Sequence, residues 1–232
     1  SSGFESILSD QDFSLNEKMS KWGAHDHLVF DRLLDELKNE DTSEGKLYYR
    51  VLQTSSSHEP FEVPYQRLEN PKLNAFAYTD SVVGNFISQF KKLPQWDNTV
   101  VILVPDHLGA YPDNLSNLSP SRYQIPLLMI GGAVKEAKRI DTFGSQHDLA
   151  ATLLAQLGIA HQSFVFSKNM LDERSPHFAF FTIPDAFGIV TENGHLVYDC
   201  QAGRVDSENN GNGYLEKGQA YLQKLYDDLA DR

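Results

Sequence analysis

The sequence has one cysteine, more acidic than basic residues, and no long apolar run. Because Cys200 has no second cysteine to pair with, an internal disulfide is excluded. The formal net charge of −12 argues against nucleic acid as a partner and against electrostatic docking on anionic lipid. No stretch approaches the roughly 18 apolar residues of a membrane-spanning helix. What remains is a globular chain of 232 residues, long enough to bury a core without a disulfide or a structural metal.

Two smaller features bear on the origin of the chain and on its thiol. The first residues, Ser1 to Phe4, include neither an initiator methionine nor the start of a signal-peptide leader, so we expect an excised part of a longer protein. Cys200 ends a largely apolar run that starts at Leu196. This position predicts a packing role for Cys200, with a reactive thiol as the alternative.

The most informative stretch runs from Asp97 to Gly109. Its apolar part, Val100–Val104, predicts a strand buried on both faces, as in a parallel sheet covered by helices. Asp106 and His107 follow at once, and ligands in open α/β sheets bind beyond the carboxyl ends of strands. A carboxylate and an imidazole are donors that zinc or manganese accepts. The alternative is an ordinary turn that binds nothing.

Periodicity predicts a regular alternation of elements along the chain. The predicted elements are a helix over 26–37 capped by Asp26, a polar turn over 39–45, a strand over 47–53, a helix within 75–93, a strand over 125–130, a helix from 148 to 157 opened by a capping box of Ser145 and Asp148, a strand over 178–183, a hairpin around Asn193-Gly194, and a final helix over 215–229. Strands alternating with helices from residue 47 to residue 158 predict an α/β fold.

Four segments match one family in order. Residues 54–61 resemble its N-H-x-P-F loop, and residues 96–107 resemble its D-N-T-hydrophobic-D-H-G element. Residues 123–128 resemble an R-I-P-L-L strand, and residues 145–158 resemble an S-x-x-D-L-A-P-T-L-L-x-x-L-G helix. The chain thus resembles the sulfatase-like branch of the alkaline phosphatase superfamily, and within it the phosphoglycerol transferases of the lipoteichoic acid synthase type.

The resemblance implies an alkaline phosphatase-like α/β fold: a mostly parallel central sheet flanked by helices, followed here by a C-terminal β-hairpin and helix. It implies that residues 1–232 are the C-terminal part of a catalytic domain. The parent protein is then expected to be membrane-anchored and extracytoplasmic. Its substrates are expected to be phospholipid head groups or other phospho- or sulfo-esters, with transfer of phosphoglycerol or phosphoethanolamine as the reaction.

The resemblance also implies roles for three residues. Asp106 and His107 match two ligands of a divalent cation, manganese first, with zinc or magnesium as alternatives. Such a cation activates a nucleophile and neutralises charge on phosphoryl oxygens. His58 matches the loop histidine that contacts the substrate or protonates the leaving oxygen. A solvated loop histidine is the alternative for His58.

Three departures from the family pattern qualify this interpretation. The family's threonine nucleophile and glutamate ligand belong upstream of Ser1, so we expect this chain alone to be inactive and to bind metal weakly or not at all. The upstream half of the domain is then a necessary partner. Leu108 replaces a glycine and Ala151 replaces a proline of the pattern. A true sulfatase and a non-catalytic binding module with the same fold remain the alternatives.

Other polar residues have simpler explanations. His25 and His27 flank Asp26, which is compatible with a metal site, but the W-G-x-x-D helix start favours capping. His147 is either a site residue or part of a helix terminus, and Arg122 is either an anion contact or a surface residue. The remaining histidines without a partnering pattern are His161, His177 and His195.

Overall fold

The computed structural model describes residues 3–18, 20–41, 46–108 and 111–231. Two compact units are present. The first consists of the described residues up to Ile102 together with Met129–Lys135, and the second of Leu103–Leu128 together with the described residues from Glu136 onward. Residues 42–45 of the predicted polar turn, and Gly109 after the Asp-His pair, lie outside the described residues.

Two helices form the core of the first unit. Helix α1 spans Asp26–Lys38 and helix α2 spans Pro71–Phe90, both close to their predicted positions. Asn70 caps α2, since its side chain accepts hydrogen bonds from the first free amides of the helix, and Pro71 occupies the first turn, where no amide is needed. The side chains buried between the two helices are Phe30, Leu34, Leu37, Phe86, Ile87 and Phe90.

A short two-stranded sheet leads to the Asp-His pair. Strand β1 spans Val101–Leu103 and pairs with β2, Leu128–Ile130. The chain leaves β2 through Gly131 and Gly132, where a close backbone approach excludes side chains. A Cβ on Gly132 would lie 2.5 Å from the Cα of Asp97, and Gly132 N donates to Trp96 O at 3.1 Å. The predicted end of this strand at Gly131 is therefore confirmed.

An antiparallel sheet and two helices dominate the second unit. The elements are α3 (Asp148–Gln156), β3 (Ala179–Ile183), β4 (Ala186–Thr191), β5 (Gly194–Asp199), β6 (Arg204–Asn209) and α4 (Tyr214–Ala230). The strands pair in sequence order, β3-β4-β5-β6. Apolar residues of α4, including Leu222 and Leu225, pack on a core that contains Phe180, Phe187 and Leu196. The predicted hairpin is the β4–β5 pair, in register through Thr191 and Gly194.

The α/β class with a C-terminal hairpin and helix is confirmed, but one strand prediction is wrong, one strand was missed, and β1, predicted to be buried on both faces, is only partly buried. Residues 47–53 form no strand in the described structure, and the side chain of Leu47 is 94% exposed. A strand requires a neighbour for its N–H and C=O groups, and no described strand pairs with this segment. Conversely, β6 was not predicted, because its sequence is mostly polar and it pairs at the edge of the sheet.

Candidate metal and substrate site

Asp106 and His107 lie in a turn just beyond the carboxyl end of β1. Oδ1 of Asp106 accepts a hydrogen bond from the amide of His107 at 2.8 Å, so the carboxylate is directed toward the following residue. Oδ2 of Asp106 then lies 3.4 Å from Nε2 of His107. Local backbone geometry therefore brings the carboxylate and the imidazole together. Both side chains are exposed, His107 by 46% and Asp106 by 85%.

The second ring nitrogen of His107 determines which nitrogen can bind a ligand. Nδ1 lies 2.9 Å from the carbonyl oxygen of Leu108. Because a carbonyl oxygen only accepts, this contact requires the proton on Nδ1, so Nε2 is the ring nitrogen left to bind a ligand. Metal-binding histidines are commonly held in this way by a backbone carbonyl or a carboxylate.

The spacing of the two atoms fits one shared divalent cation. Ligands at about 2.1 Å from a tetrahedral ion, the geometry typical of zinc, stand about 3.4 Å apart. The observed separation of Oδ2 and Nε2 is 3.4 Å. Among residues 3–18, 20–41, 46–108 and 111–231, no group of three or more histidine, cysteine, aspartate or glutamate side chains is placed to hold an ion. The pair alone thus offers two donors, and a complete centre requires further ones.

His58 lies in an exposed loop of the first unit, and Trp22 holds that loop. The indole Nε1 of Trp22 donates to the carbonyl of Glu59 at 2.5 Å, and the indole meets the His58 ring edge to face with centroids 4.6 Å apart. Nδ1 of His58 lies 3.2 Å from the same carbonyl of Glu59. His58 is thus oriented by an aromatic side chain and by its own loop. Its implied role as a substrate contact or proton donor stays a prediction.

Asp26 anchors the loop that carries His58. Its Oδ1 accepts from the amides of Ser55 and Ser56 at 2.9 and 3.0 Å, and its Oδ2 accepts from the hydroxyl of Thr79 at 2.7 Å. The prediction that Asp26 caps α1 is wrong, because His25 occupies the cap position and Asp26 is the first helical residue. Asp26 is fully buried and its carboxylate is satisfied by the loop and α2.

The histidines beside Asp26 are structural in this geometry. Nδ1 of His27 lies 2.5 Å from the hydroxyl of Tyr78, while Nδ1 of His25 is buried without a partner. Burial lowers the pKa of His25, the neighbouring His27 lowers it further, and Asp26 opposes the shift. The carboxylate of Asp26 between these histidines accepts three hydrogen bonds, so it ties the loop and α2 together instead of capping α1 as predicted.

His147 belongs to a polar cluster at the start of α3. Its Nε2 lies 3.2 Å from the hydroxyl of Tyr221 and 3.7 Å from Oδ1 of Asp148. Burial lowers the pKa of His147, Asp148 opposes the shift and Lys168 adds to it. Burial, together with Asp148, raises the pKa of Tyr221 to about 12. Of the two interpretations of His147, the helix terminus is confirmed, because it is the cap residue of α3.

The predicted capping box at α3 is only half correct. Oδ2 of Asp148 accepts from the amide of Ser145 at 2.8 Å, as in such a box. The hydroxyl of Ser145 instead exchanges hydrogen bonds with the backbone of Phe180 in β3, at 2.8 and 2.9 Å. Ser145 therefore ties α3 to the sheet, which the local sequence pattern could not reveal.

The predicted packing role of Cys200 is wrong. The residue follows β5 in an exposed turn, and its thiol is free. Its amide donates to Asp185 O at 2.7 Å, so the backbone holds this position. Partial burial raises the pKa of the thiol, and the carboxylates of Asp199 and Asp185 raise it further. A raised pKa disfavours the reactive thiolate.

Sequence reasoning did not find two residues that hold the candidate site. Trp22 orients the His58 loop, and Gln146 donates from Nε2 to the carbonyls of Pro105 and Asp106 at 2.8 and 2.7 Å. Both contacts join residues far apart in sequence, so no local period or spacing signals them. The only available signal was position, because each residue stands within a motif of the resemblance.

Comparison with known proteins identifies the class. The family model described as Sulfatase matches residues 1–159. Phosphoglycerol transferase I of Xanthomonas campestris pv. campestris is 25% identical over 167 residues, which cover 68% of this chain and 24% of that protein. Phosphoglycerol transferase I of Xanthomonas axonopodis pv. citri is 24% identical, also over 167 residues that cover 68% of this chain and 24% of that protein. A crystal structure of an alkaline phosphatase superfamily protein from Vibrio parahaemolyticus matches with a TM-score of 0.77 at 23% identity, covering 97% of this chain and 60% of that chain.

The fold is that of the alkaline phosphatase superfamily. Within that class, the chain belongs to the sulfatase family. It spans 24% of the length of the curated relatives it matches. The resemblance read from four sequence motifs is thereby confirmed.

Proposed function

We propose that this chain is the C-terminal part of the catalytic domain of a metal-dependent enzyme that transfers or hydrolyses phospho-ester head groups. The observation that carries the proposal is the Asp106–His107 pair, in which Oδ2 and Nε2 lie 3.4 Å apart and Nδ1 is held by a backbone carbonyl. The similarity to phosphoglycerol transferases supports phosphoglycerol or phosphoethanolamine as the transferred group.

In this proposal Asp106 and His107 hold a divalent cation, manganese first and zinc or magnesium as alternatives. A bound divalent cation polarises phosphoryl oxygens and activates a nucleophile. His58 contacts the substrate or donates a proton to the leaving oxygen, and its exposure leaves the ring accessible. Trp22 and Asp26 keep the His58 loop in place through the contacts given above.

The proposal includes a partner, the upstream half of the same domain, which would supply the nucleophile and the remaining ligands. Two observations support it. The curated relatives are much longer, since this chain covers 24% of their length. The segment 47–53, with its strand-like sequence, exposes Leu47, Tyr49 and Val51, so it is free to pair with a strand from that half.

Placement outside the cytoplasm, in a membrane-anchored parent, is part of the same proposal and rests on the resemblance. Among the described residues, no helix combines the length and the apolar character needed to cross a membrane.

Hydrolysis of sulfate esters is the second candidate, and the family-model match over residues 1–159 favours it. Phosphate and sulfate esters present similar tetrahedral oxyanions to a cation, so the described residues serve either chemistry. Separate assays with an activated phosphodiester and an activated sulfate ester distinguish the two.

The test compares this chain with the full-length natural protein that contains it, each with excess manganese. We expect turnover of the phosphodiester by the full-length protein only, because a nucleophile must lie within reach of its activating group. Losing members of a catalytic set commonly lowers the rate by several orders of magnitude. His58→Ala and His107→Ala in the full-length protein should each lower turnover, while His177→Ala, an exposed histidine outside the site, should not.

Turnover by this chain at the rate of the full-length protein, abolished by His107→Ala, would contradict the proposed division. A nucleophile would then lie within residues 1–232, with the run Thr54–Ser57 as the first candidate.

A further inference from the structure

Gln146 bridges the backbone on both sides of Asp106. Its Nε2 donates to the carbonyl oxygen of Pro105 at 2.8 Å and to that of Asp106 at 2.7 Å. Both partners are carbonyl oxygens, which only accept, so the orientation of the side-chain amide follows from chemistry. These two carbonyls belong to the peptide planes that flank the Cα of Asp106.

One amide group bound to both planes restrains the backbone dihedrals of Asp106. Those dihedrals determine where the carboxylate points and where the next residue begins. The carboxylate and the amide of His107 are joined by a 2.8 Å hydrogen bond, so the restraint extends to His107. On the far side of the turn, Leu108 N donates to Arg122 O at 3.0 Å. The turn is thus held from two sides.

Gln146 itself sits on a rigid support. Its neighbour Ser145 is tied to Phe180 of β3 by the hydroxyl and to Asp148 by the amide. Asp148 is fully buried and pairs with Nζ of Lys168 at 2.8 Å. The side chain of Gln146 therefore connects the exposed Asp106–His107 turn to strand β3 and helix α3.

We propose that Gln146 is a positioning residue for Asp106 and His107, and that it sets the metal affinity of the pair. The proposal rests on the proposed function, because it assumes that Asp106 and His107 are ligands. Residues that orient ligands without touching the metal commonly change metal affinity by about 10–100-fold when replaced. A contact that only stabilised the fold would change the unfolding temperature and leave the affinity of folded protein unchanged.

The test is calorimetric titration of Mn²⁺ into the full-length protein with Gln146→Met, a change that keeps length and removes the N–H donors. We expect Kd to rise roughly 10–100-fold. The matched control is Gln156→Met, an exposed glutamine at the end of helix α3, the helix that Gln146 precedes; this variant should bind as the wild type does. Electron paramagnetic resonance of bound Mn²⁺ should show an altered environment in Gln146→Met alone. If Gln146→Met does not fold, Gln146→Glu replaces it, because a carboxylate of the same shape cannot donate to carbonyls.

The outcomes separate this inference from the proposed function. Equal Kd and equal spectra for Gln146→Met and the wild type would overturn the positioning role, provided that Asp106→Ala loses binding. Equal weakening in Gln146→Met and Gln156→Met would overturn it as well, because the effect would then belong to the helix. Tight binding that survives Asp106→Ala would refute the proposed function itself, and the inference with it.

Discussion

Asp26 and Asp148 occupy equivalent positions, each at the first residue of a helix, fully buried. Each carboxylate accepts hydrogen bonds from backbone amides outside its helix. Asp26 accepts from Ser55 and Ser56, and Asp148 accepts from Lys168. The positive end of the helix dipole favours a carboxylate at this position. Both residues therefore attach a distant loop segment to a helix start rather than cap the helix.

Asp148→Asn should destabilise the protein strongly. It leaves the ammonium of Lys168, 14% exposed, without its anionic partner, and removing one member of a buried pair costs about 3–5 kcal/mol. Urea unfolding measures the free energy of unfolding. The control is Asp172→Asn, which breaks the exposed pair with Arg174 and should change stability little. Equal effects of the two substitutions would show that Asp148 is not held as described.

His147 should make stability depend on pH. Burial holds its pKa below the ordinary value of 6.5 in the folded state. As the pH falls through that value, the unfolded chain takes up a proton that folded His147 does not, so the free energy of unfolding decreases. His147→Gln should flatten this decrease, whereas His177→Gln, at an exposed position, should not. An unchanged slope in His147→Gln, measured by urea unfolding between about pH 7.5 and 5.5, would contradict the burial.

At this scale, sequence supplied the candidate site residues but not the residues that support them. His58, Asp106 and His107 stand in motifs that can be read directly. Gln146 and Trp22 act through contacts with residues 37 to 41 positions away, which no spacing rule captures. Ala151 differs in that its replacement of a proline was visible in the sequence and its contact was not. Its amide N–H, which a proline lacks, donates to Ser167 Oγ at 2.8 Å.

At the scale of elements, amphipathic helices and the hairpin were predictable because their period or turn residues are local. Helices α1, α2 and α4 follow apolar spacings, and Asn193-Gly194 marks the β4–β5 turn. The segment 47–53 has the composition of a strand, yet pairing is a property of two segments. Strand β6 is the opposite case, because its polar sequence does not resemble a strand. Its strand conformation follows from pairing with β5.

Two glycines in helices should respond oppositely to alanine. A Cβ on Gly218 of α4 would lie 2.1 Å from the ring of Phe187, whereas a Cβ on Gly84 of α2 meets nothing within 4 Å. Gly84→Ala should stabilise by up to about 1 kcal/mol, the difference in helix propensity. In Gly218→Ala, overpacking should lower the free energy of unfolding by about 1–3 kcal/mol, which is more than alanine gains through its helix propensity. Thermal unfolding of both variants measures this, and a stabilised Gly218→Ala would contradict the packing of α4 on β4.

At the scale of the whole molecule, the family assignment and the alkaline phosphatase fold are established, and the activity is a proposal. The chain contains two compact units, with His58 in the first and the Asp106–His107 turn in the second. The chain covers 24% of the length of the curated relatives that it matches.

The central claim is that Asp106 and His107 are metal ligands. The most direct test records nuclear magnetic resonance spectra of this chain with substoichiometric Mn²⁺, since paramagnetic broadening reports even weak binding at its location. We predict that the His107 ring and the Asp106 amide broaden first, and that Asp106→Ala abolishes this preference. Broadening that begins at His25 and His27, or that persists at His107 in Asp106→Ala, would contradict the account.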